Sequence, residues 1–182
     1  MAATVLRAVP LIYLVIRLLS GGPATLQRWL LRERTAELTL TTLALVAAVI
    51  VGTIVLGTAT AWATTRLQLP VPRLWLVLAA LPLAVPSYVS AFAWIATIPG
   101  LNGFWPLVLI RVLACPPYVT LPVSAALRMA DARHPEVART LGAGPARAFR
   151  TVTLPQITPA IAAGALLAGL YTISDFGAPA ML

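Results

Sequence analysis

The stretch that decides the fold is LTLTTLALVAAVIVGTIVLGTATAWATT, residues 38–65, which contains no charged side chain. A helix needs about 20 mostly apolar residues to cross a hydrocarbon core of roughly 30 Å, and this run is long enough. Gly52 and Gly57 lie within it and allow a neighbouring helix to approach closely. Trp62 and Arg66 are typical of an anchor at the inner membrane surface. Residues 38–65 are therefore predicted to form a transmembrane helix.

Further apolar runs lie on both sides of this stretch, at residues 4–20, 74–98, 106–127 and 156–174. Of the 182 residues, 60% are hydrophobic and only 10% are charged, whereas a soluble domain carries about 25% charged residues. Lipid cannot satisfy backbone N–H and C=O groups, so each run is expected to be helical. The sequence predicts an all-α, polytopic transmembrane helix bundle of about five spans, forming a single domain over residues 1–182.

The charge is strongly positive, with 13 basic residues, all of them arginine, against five acidic ones. The arginines lie mainly in short loops beside the apolar runs, where they set membrane orientation, so we expect contact with membrane lipid and no nucleic-acid partner. If the N-terminus is cytoplasmic, the inner side receives Arg7, Arg66, Arg73, Arg128, Arg133, Arg139, Arg147 and Arg150. The outer side receives only Arg28, Arg32 and Arg34. The sequence therefore predicts a multi-pass protein with a cytoplasmic N-terminus.

Prolines interrupt the third and fourth runs. Pro82 and Pro86 lie within LPLAVPSYVSAFAW, residues 81–94, where each removes a backbone donor and is expected to kink the helix. Kinks at mid-membrane depth are tolerated where the freed carbonyls lie against protein or a water-filled path. The candidate residues for a pathway lining are Pro82, Pro86, Ser87, Tyr88, Tyr118 and Asp175. The alternative is that the kinks serve packing alone.

One arginine lies inside an apolar run. Arg111 is in the fourth run, at a depth where an ionisable side chain needs a partner. Asp175 lies at the outer end of the fifth run, at a similar depth. We predict that the two side chains pair across adjacent helices. The alternative is that Arg111 extends to the outer headgroups.

The longest connector between predicted spans is RMADARHPEVARTLGAGPARAFRTVTLP, residues 128–155, on the predicted cytoplasmic side. Pro135 is suited to begin a short helix that ends at Gly142, and Pro145 to begin a second helix that stops at Leu154 and Pro155. Two short helices would form a compact, partly apolar knob that suits docking into a groove of a partner protein. The alternative is an arginine-rich loop that only fixes topology.

This loop carries a spaced motif. Glu136, Val137 and Ala138 are followed after three residues by Gly142, and after nine more by Val152, Leu154 and Pro155. The pattern resembles the EAA loop, E-A-A-x3-G-x9-I-x-L-P, of binding-protein-dependent ABC importer permeases, with valine replacing the second residue and the isoleucine. LPLAVPSYVSAFAW, PGLNGFW at 99–105 and SDFGAPAML at 174–182 resemble segments of ferric iron permeases, with thiamine permeases closely related.

The resemblance implies the fold of a type I ABC importer permease in a bacterial inner membrane. It implies a periplasmic binding protein that delivers cargo, cytoplasmic ATPase subunits that grip residues 136–155, and a second permease half or subunit. In such permeases each half has about six spans, so the chain is expected to be incomplete at its C-terminus or a fragment. No G-x-x-x-x-G-K-[ST] motif occurs, so the chain is expected to bind no cofactor, with ATP on the partner.

Ferric iron is the expected cargo, with thiamine or another small solute as the alternative. Fe(III) favours phenolate and carboxylate oxygens, and the groups available for it are Tyr88, Tyr118, Tyr171 and Asp175. The sequence nevertheless predicts no firm metal site. An enzyme is disfavoured, because one His, one Cys and five acidic residues offer no nucleophile–base or metal-ligand spacing. The alternative of another class is a non-transporting membrane scaffold that binds anionic lipid or a regulator through the arginine-rich loop.

Overall fold

The computed structural model describes residues 12–13, 16, 33–67, 69–129, 144–175 and 177–179. Within these ranges the secondary structure is helical, without a β-strand, and the prediction of an all-α chain is confirmed. The helices are α1 (Glu33–Arg66), α2 (Pro72–Ala80), α3 (Ser87–Thr97), α4 (Phe104–Ala114), α5 (Pro116–Met129), α6 (Pro145–Ala148) and α7 (Leu154–Ser174). The chain divides into two compact units, Met1–Leu43 and Ala44–Leu182.

Three described helical stretches are long and apolar enough to cross a membrane: Glu33–Arg66, Phe104–Met129 and Ala146–Ser174. They contain the predicted spans 38–65, 106–127 and 156–174. A bent pair, Pro72–Ala84 with Ser87–Thr97, makes a fourth if it is counted as one span. The predicted span 4–20 lies outside the described residues, apart from Ile12, Tyr13 and Ile16, which are helical.

Helix α1 begins at Glu33, five residues before the predicted span. Glu33 lies in the first turn, where a negative charge complements the helix dipole. Most threonines within the helix bond back through their hydroxyl groups to carbonyl oxygens of the preceding turn, so they do not interrupt the helix. Thr60 Oγ1, for example, donates to Leu56 O at 2.8 Å, and Thr64 Oγ1 donates to Thr60 O at 2.8 Å. These hydroxyl groups are thus satisfied within the helix, whereas the buried hydroxyl groups of Thr53 and Thr58 have no hydrogen-bond partner among the described residues.

In the second unit, α1 and α7 both pack closely against α5, around Val119. A Cβ atom added at Gly57 of α1 would lie 2.7 Å from Val119 Cβ, and one added at Gly164 of α7 would lie 2.7 Å from Val119 Cα. Both distances are shorter than real Cβ contacts, so each position requires glycine. Gly52 approaches Val112 of α4 equally closely. The predicted close approach at Gly52 and Gly57 is confirmed.

The third predicted span is broken, which corrects the prediction of a kinked but continuous helix over 74–98. After α2, a 3₁₀ turn covers Leu81–Ala84, Val85 is extended, and α3 begins at Ser87 at 93° to the preceding helix. The residue before a proline is pushed out of the helical conformation, and Pro86 itself has no N–H to donate. The two effects fall on consecutive residues and end the helix.

The predicted stop at Leu154 and Pro155 is wrong, because helical structure continues from Ala146 to Ser174. Residues Phe149–Thr153 form a π-helical turn, which ends where the Leu154 N–H bonds to Phe149 O. Pro155 follows in the first turn of α7, where its missing N–H is tolerated. The wider turn absorbs the proline without ending the helix.

Candidate functional site

The site is built around a buried ion pair between two helices. Arg111 lies on α4, and Asp175 follows directly after the last residue of α7. Arg111 Nη2 pairs with Asp175 Oδ2, and the two side chains are only 2% and 12% exposed. The predicted pairing is confirmed. The alternative, in which Arg111 extends to the headgroups, is wrong because its guanidinium lies inside the protein.

Asp175 has two further partners. Ser87 Oγ donates to Asp175 Oδ1 at 2.6 Å, and the Ala178 N–H donates to Oδ2 at 3.3 Å. Ser87 is the first residue of α3, so the carboxylate lies at a helix N-terminus, where the helix dipole favours negative charge. One carboxylate therefore joins the broken third span, α4 and the turn after α7.

Two tyrosines complete the surroundings of Arg111. Its Cζ lies 5.3 Å from the centroid of the Tyr171 ring, a distance at which a cation is attracted to an aromatic face. The Tyr171 ring lies in turn 5.3 Å from that of Tyr118 on α5. Carboxylate and ring together compensate the buried positive charge from two sides.

A cavity of about 420 Å³ lies beside this group. It is lined by Leu78, Leu81, Pro82, Leu83, Val85, Ser87, Ser90, Trp94, Ile110, Arg111, Leu113, Ala114, Tyr118, Tyr171 and Ala178. Most of these side chains are apolar, and the polar ones come from α3, α4, α5 and α7. The wall of the cavity is therefore mostly apolar and carries one charged group and several hydroxyl groups.

The structure gathers most of the candidate pathway residues here. Pro82, Ser87 and Tyr118 line the cavity, and Asp175 bonds to Ser87. Pro86 and Tyr88 are not part of the lining, and the Tyr88 side chain is 58% exposed. A role of these residues in a pathway stays a prediction. The predicted pathway lining did not include Arg111 or Tyr171, although an arginine inside an apolar run was a signal for the first, and Tyr171 was a candidate iron ligand.

Of the coupling-loop residues, Glu136, Val137, Ala138 and Gly142 lie outside the described residues. Val152 is half-buried in the π-helical turn, and Pro155 is exposed at the start of α7. Leu154 packs against a buried cluster formed by Ala61, Val119, Val123, Leu127 and Ile157. The second half of the motif thus lies at the end of the helix bundle that contains Arg66 and Leu127.

The end of α1 contacts the chain just before the loop and again within the loop's second half. Arg66 Nη2 donates to Leu127 O at 3.3 Å, just before the loop begins. The Trp62 ring meets the Phe149 ring edge to face, with centroids 4.9 Å apart. Sequence reasoning proposed Trp62 and Arg66 as an anchor to the membrane surface and did not predict these contacts. The same end of α1 therefore holds the chain just before the loop and again at Phe149, within its second half.

No group of three or more His, Cys, Asp or Glu side chains that would hold a metal ion is found in the described part of the chain. Asp175 is engaged by Arg111, Ser87 and the Ala178 N–H. The described site offers hydrogen-bond donors and a positive charge more than it offers metal ligands.

The ion pair can be tested by a double-mutant cycle on the free energy of unfolding. Removing one partner of a buried pair costs about 3–5 kcal/mol, because the other charge is left uncompensated. We expect Arg111→Ala and Asp175→Ala each to destabilise strongly, and the double variant to lose less than their sum by about 1–3 kcal/mol. Arg73→Ala is the matched control, because Arg73 is exposed. The losses in free energy of unfolding caused by Arg73→Ala and Asp175→Ala should add. If the losses caused by Arg111→Ala and Asp175→Ala also add, the pairing is contradicted.

The chain is similar to several characterised permeases. It is 35% identical over 173 residues to the Fe(3+)-transport system permease protein of Haemophilus influenzae, covering 95% of this chain and 34% of that protein. It is 30% identical to a sulfate transport system permease protein of Salmonella typhimurium, over 68% of this chain and 50% of the relative. It is 36% identical to a spermidine/putrescine transport system permease protein of Haemophilus influenzae, over 50% of this chain and 36% of the relative. The chain thus spans a third to a half of these relatives.

The family comparison covers the whole described site. The model of the family "binding-protein-dependent transport system inner membrane component" matches residues 54–182. This range contains α2 to α7, the Arg111–Asp175 pair, the cavity and the loop over residues 128–155. Together with the membrane-spanning helices, the match establishes that the chain belongs to the binding-protein-dependent ABC permeases, the multi-pass inner-membrane components of this class of transport system.

Proposed function

We propose that this chain forms the permease subunit, or part of one, of an ATP-driven importer. Cargo arrives with a periplasmic binding protein, a second permease half or subunit completes the pathway, and a separate cytoplasmic ATPase supplies the energy. The observation that carries the proposal is the spaced motif from Glu136 to Pro155, which lies within the range matched by the family. The motif marks the segment by which the ATPase grips the permease.

The contacts at the end of α1 support a mechanical role for the loop. Arg66 holds the chain just before the loop, and Trp62 holds it at Phe149, within the second half of the loop. A displacement of the docked loop is therefore passed to α1, α5 and α7 together. These helices pack tightly at Val119, so they move as one body when the ATPase subunits close. Access to the cavity then alternates between the two sides of the membrane.

The docking role is tested with Gly142→Asp. We expect this variant to insert into the membrane normally but to lose coupling, so that uptake falls at least about tenfold while the ATPase partner still hydrolyses ATP. Gly144→Asp is the matched control, because it adds the same charge two residues away, where an added Cβ has no atom of the described residues within 4 Å. Uptake by Gly142→Asp in ATPase-loaded vesicles at the level of Gly144→Asp would refute the proposal. Copurification of lipid without an ATPase would support the scaffold alternative instead.

A cytoplasmic N-terminus places the loop on the inner side of the membrane. The arginine distribution supports this orientation, with eight arginines on the inner side and three on the outer. We expect a cysteine introduced by Ala143→Cys to react with a membrane-impermeant maleimide only after the membrane is opened. The test is made in the Cys115→Ser background, because Cys115 is the only native cysteine. Labelling in intact spheroplasts would place the loop outside and overturn the docking proposal.

Ferric iron is our first candidate for the cargo. The Haemophilus influenzae relative named for Fe(3+) transport aligns with 95% of this chain. Relatives named for sulfate and spermidine/putrescine align with 68% and 50% of it, so they support other small solutes as the alternative. We expect vesicles with the complete importer and its binding protein to accumulate radioactive Fe(III) but not sulfate, putrescine or thiamine. Uptake of one of the other three in preference to Fe(III) would reassign the cargo.

A further inference from the structure

The buried arginine has more hydrogen-bonding capacity than its known partners use. Arg111 is 1% exposed, and its Nη2 pairs with Asp175 Oδ2. Its Nε has no acceptor among the described residues, although it is buried. A guanidinium presents its N–H donors in a planar fork that matches carboxylate, phosphate and sulfate oxygens. An unused donor edge of a buried arginine is a feature that a bound acceptor would explain.

Arg111 lines a cavity that is large enough to hold such an acceptor. The cavity of 420 Å³ beside Arg111 is of the size usual for small-ligand sites. Ser90, Tyr118 and Tyr171, each with a hydroxyl group, line the same cavity. Leucine and valine side chains form much of the remaining wall, and an apolar wall strengthens the attraction between an anion and Arg111.

The two members of the ion pair differ in how easily each can lose the other. Asp175 keeps two hydrogen bonds without Arg111, from Ser87 Oγ and from the Ala178 N–H, and it is 12% exposed. Among the described residues, Arg111 would keep only the face of the Tyr171 ring, and a buried charge without a partner is strongly disfavoured. The carboxylate is therefore able to release the guanidinium only when another anion takes its place.

We propose that the cavity beside Arg111 is an oxyanion-binding site, in which a small tetrahedral oxyanion binds the guanidinium in competition with Asp175. Binding replaces the Arg111–Asp175 pair, while Asp175 stays bonded to Ser87 and Ala178. Because Asp175 joins α3, α4 and the turn after α7, the anion loosens the contact between α4 and the other two. The cavity is the one to which access alternates in the proposed importer, but binding is measured on the chain without its partners, so the failure of either proposal leaves the other standing.

The test measures the thermal unfolding midpoint of the full chain in a neutral detergent, titrated with sodium sulfate or inorganic phosphate. Sodium chloride at equal ionic strength corrects for screening, and Arg73→Gln is the matched control, because Arg73 is an exposed arginine outside the cavity. We expect a saturable stabilisation of the native chain and of Arg73→Gln. Arg111→Gln should show only the non-saturable salt effect.

The Asp175→Asn variant gives the sharpest result. It removes the competing charge but keeps the size of the side chain, so we expect sulfate to bind about tenfold more tightly than to the native chain. A purely structural ion pair predicts the opposite, a destabilised protein with no gain in sulfate affinity. If Arg111→Gln does not fold, Arg111→Lys replaces it; the lysine keeps the charge but loses the fork, so binding should weaken by about tenfold.

A lipid phosphate offers the same oxyanion chemistry, so a second arm adds phosphatidylglycerol in place of the free ions. Saturable stabilisation by sulfate or phosphate identifies a free oxyanion as the ligand, and stabilisation by the lipid alone identifies a headgroup. The proposal is overturned if no oxyanion stabilises the native chain or Asp175→Asn saturably. It is also overturned if Arg111→Gln responds as the native chain does.

Discussion

The structure depends on the close approach of two helices to Val119 of α5. Gly57 brings α1 to one side of this residue, and Gly164 brings α7 to the other. Within a bilayer, apolar surface gains little by leaving lipid, so helices associate through tight packing of small residues. The Thr120 hydroxyl adds a hydrogen bond to Gly57 O at 3.2 Å, which fixes the register of α1 against α5. This contact sets where the far end of α7 lies.

The position of α7 in turn creates the polar site. With Gly164 against α5, Tyr171 lies beside Tyr118, and Asp175 lies beside Arg111 of α4. A charged arginine at this depth is strongly disfavoured in lipid, and the carboxylate and the tyrosine ring together stabilise it. The packing of small residues and the burial of the charge are therefore one arrangement, since neither persists if α7 shifts along its axis.

Sequence alone predicts a feature correctly where a single physical rule determines it. Apolar length located the helices, small residues located their close contacts, and the need of Arg111 for a counter-ion identified Asp175. The sequence predicts a kink at Pro86 but not a bend of 93°, because the size of the bend depends on which helices pack against α2 and α3. Pro155 was misread as a stop, because a π-helical turn leaves no mark in the residue pattern. The bond from Ser87 to Asp175 required the bend to be known first. The first half of the loop motif, Glu136 to Gly142, lies outside the described residues.

The bend at Val85 and Pro86 also bears on how the chain is built into the membrane. The nine residues of α2 and the four of the 3₁₀ turn extend about 20 Å, and the eleven of α3 about 16 Å. Neither half reaches across a hydrocarbon core of roughly 30 Å, so neither is retained there by its own apolarity. Asp175, which holds the first residue of α3, is synthesised 88 residues after Ser87. The bent segment therefore reaches its final place only after the ribosome has synthesised α7 and Asp175, and a translation product interrupted before Asp175 would lack the group that secures it.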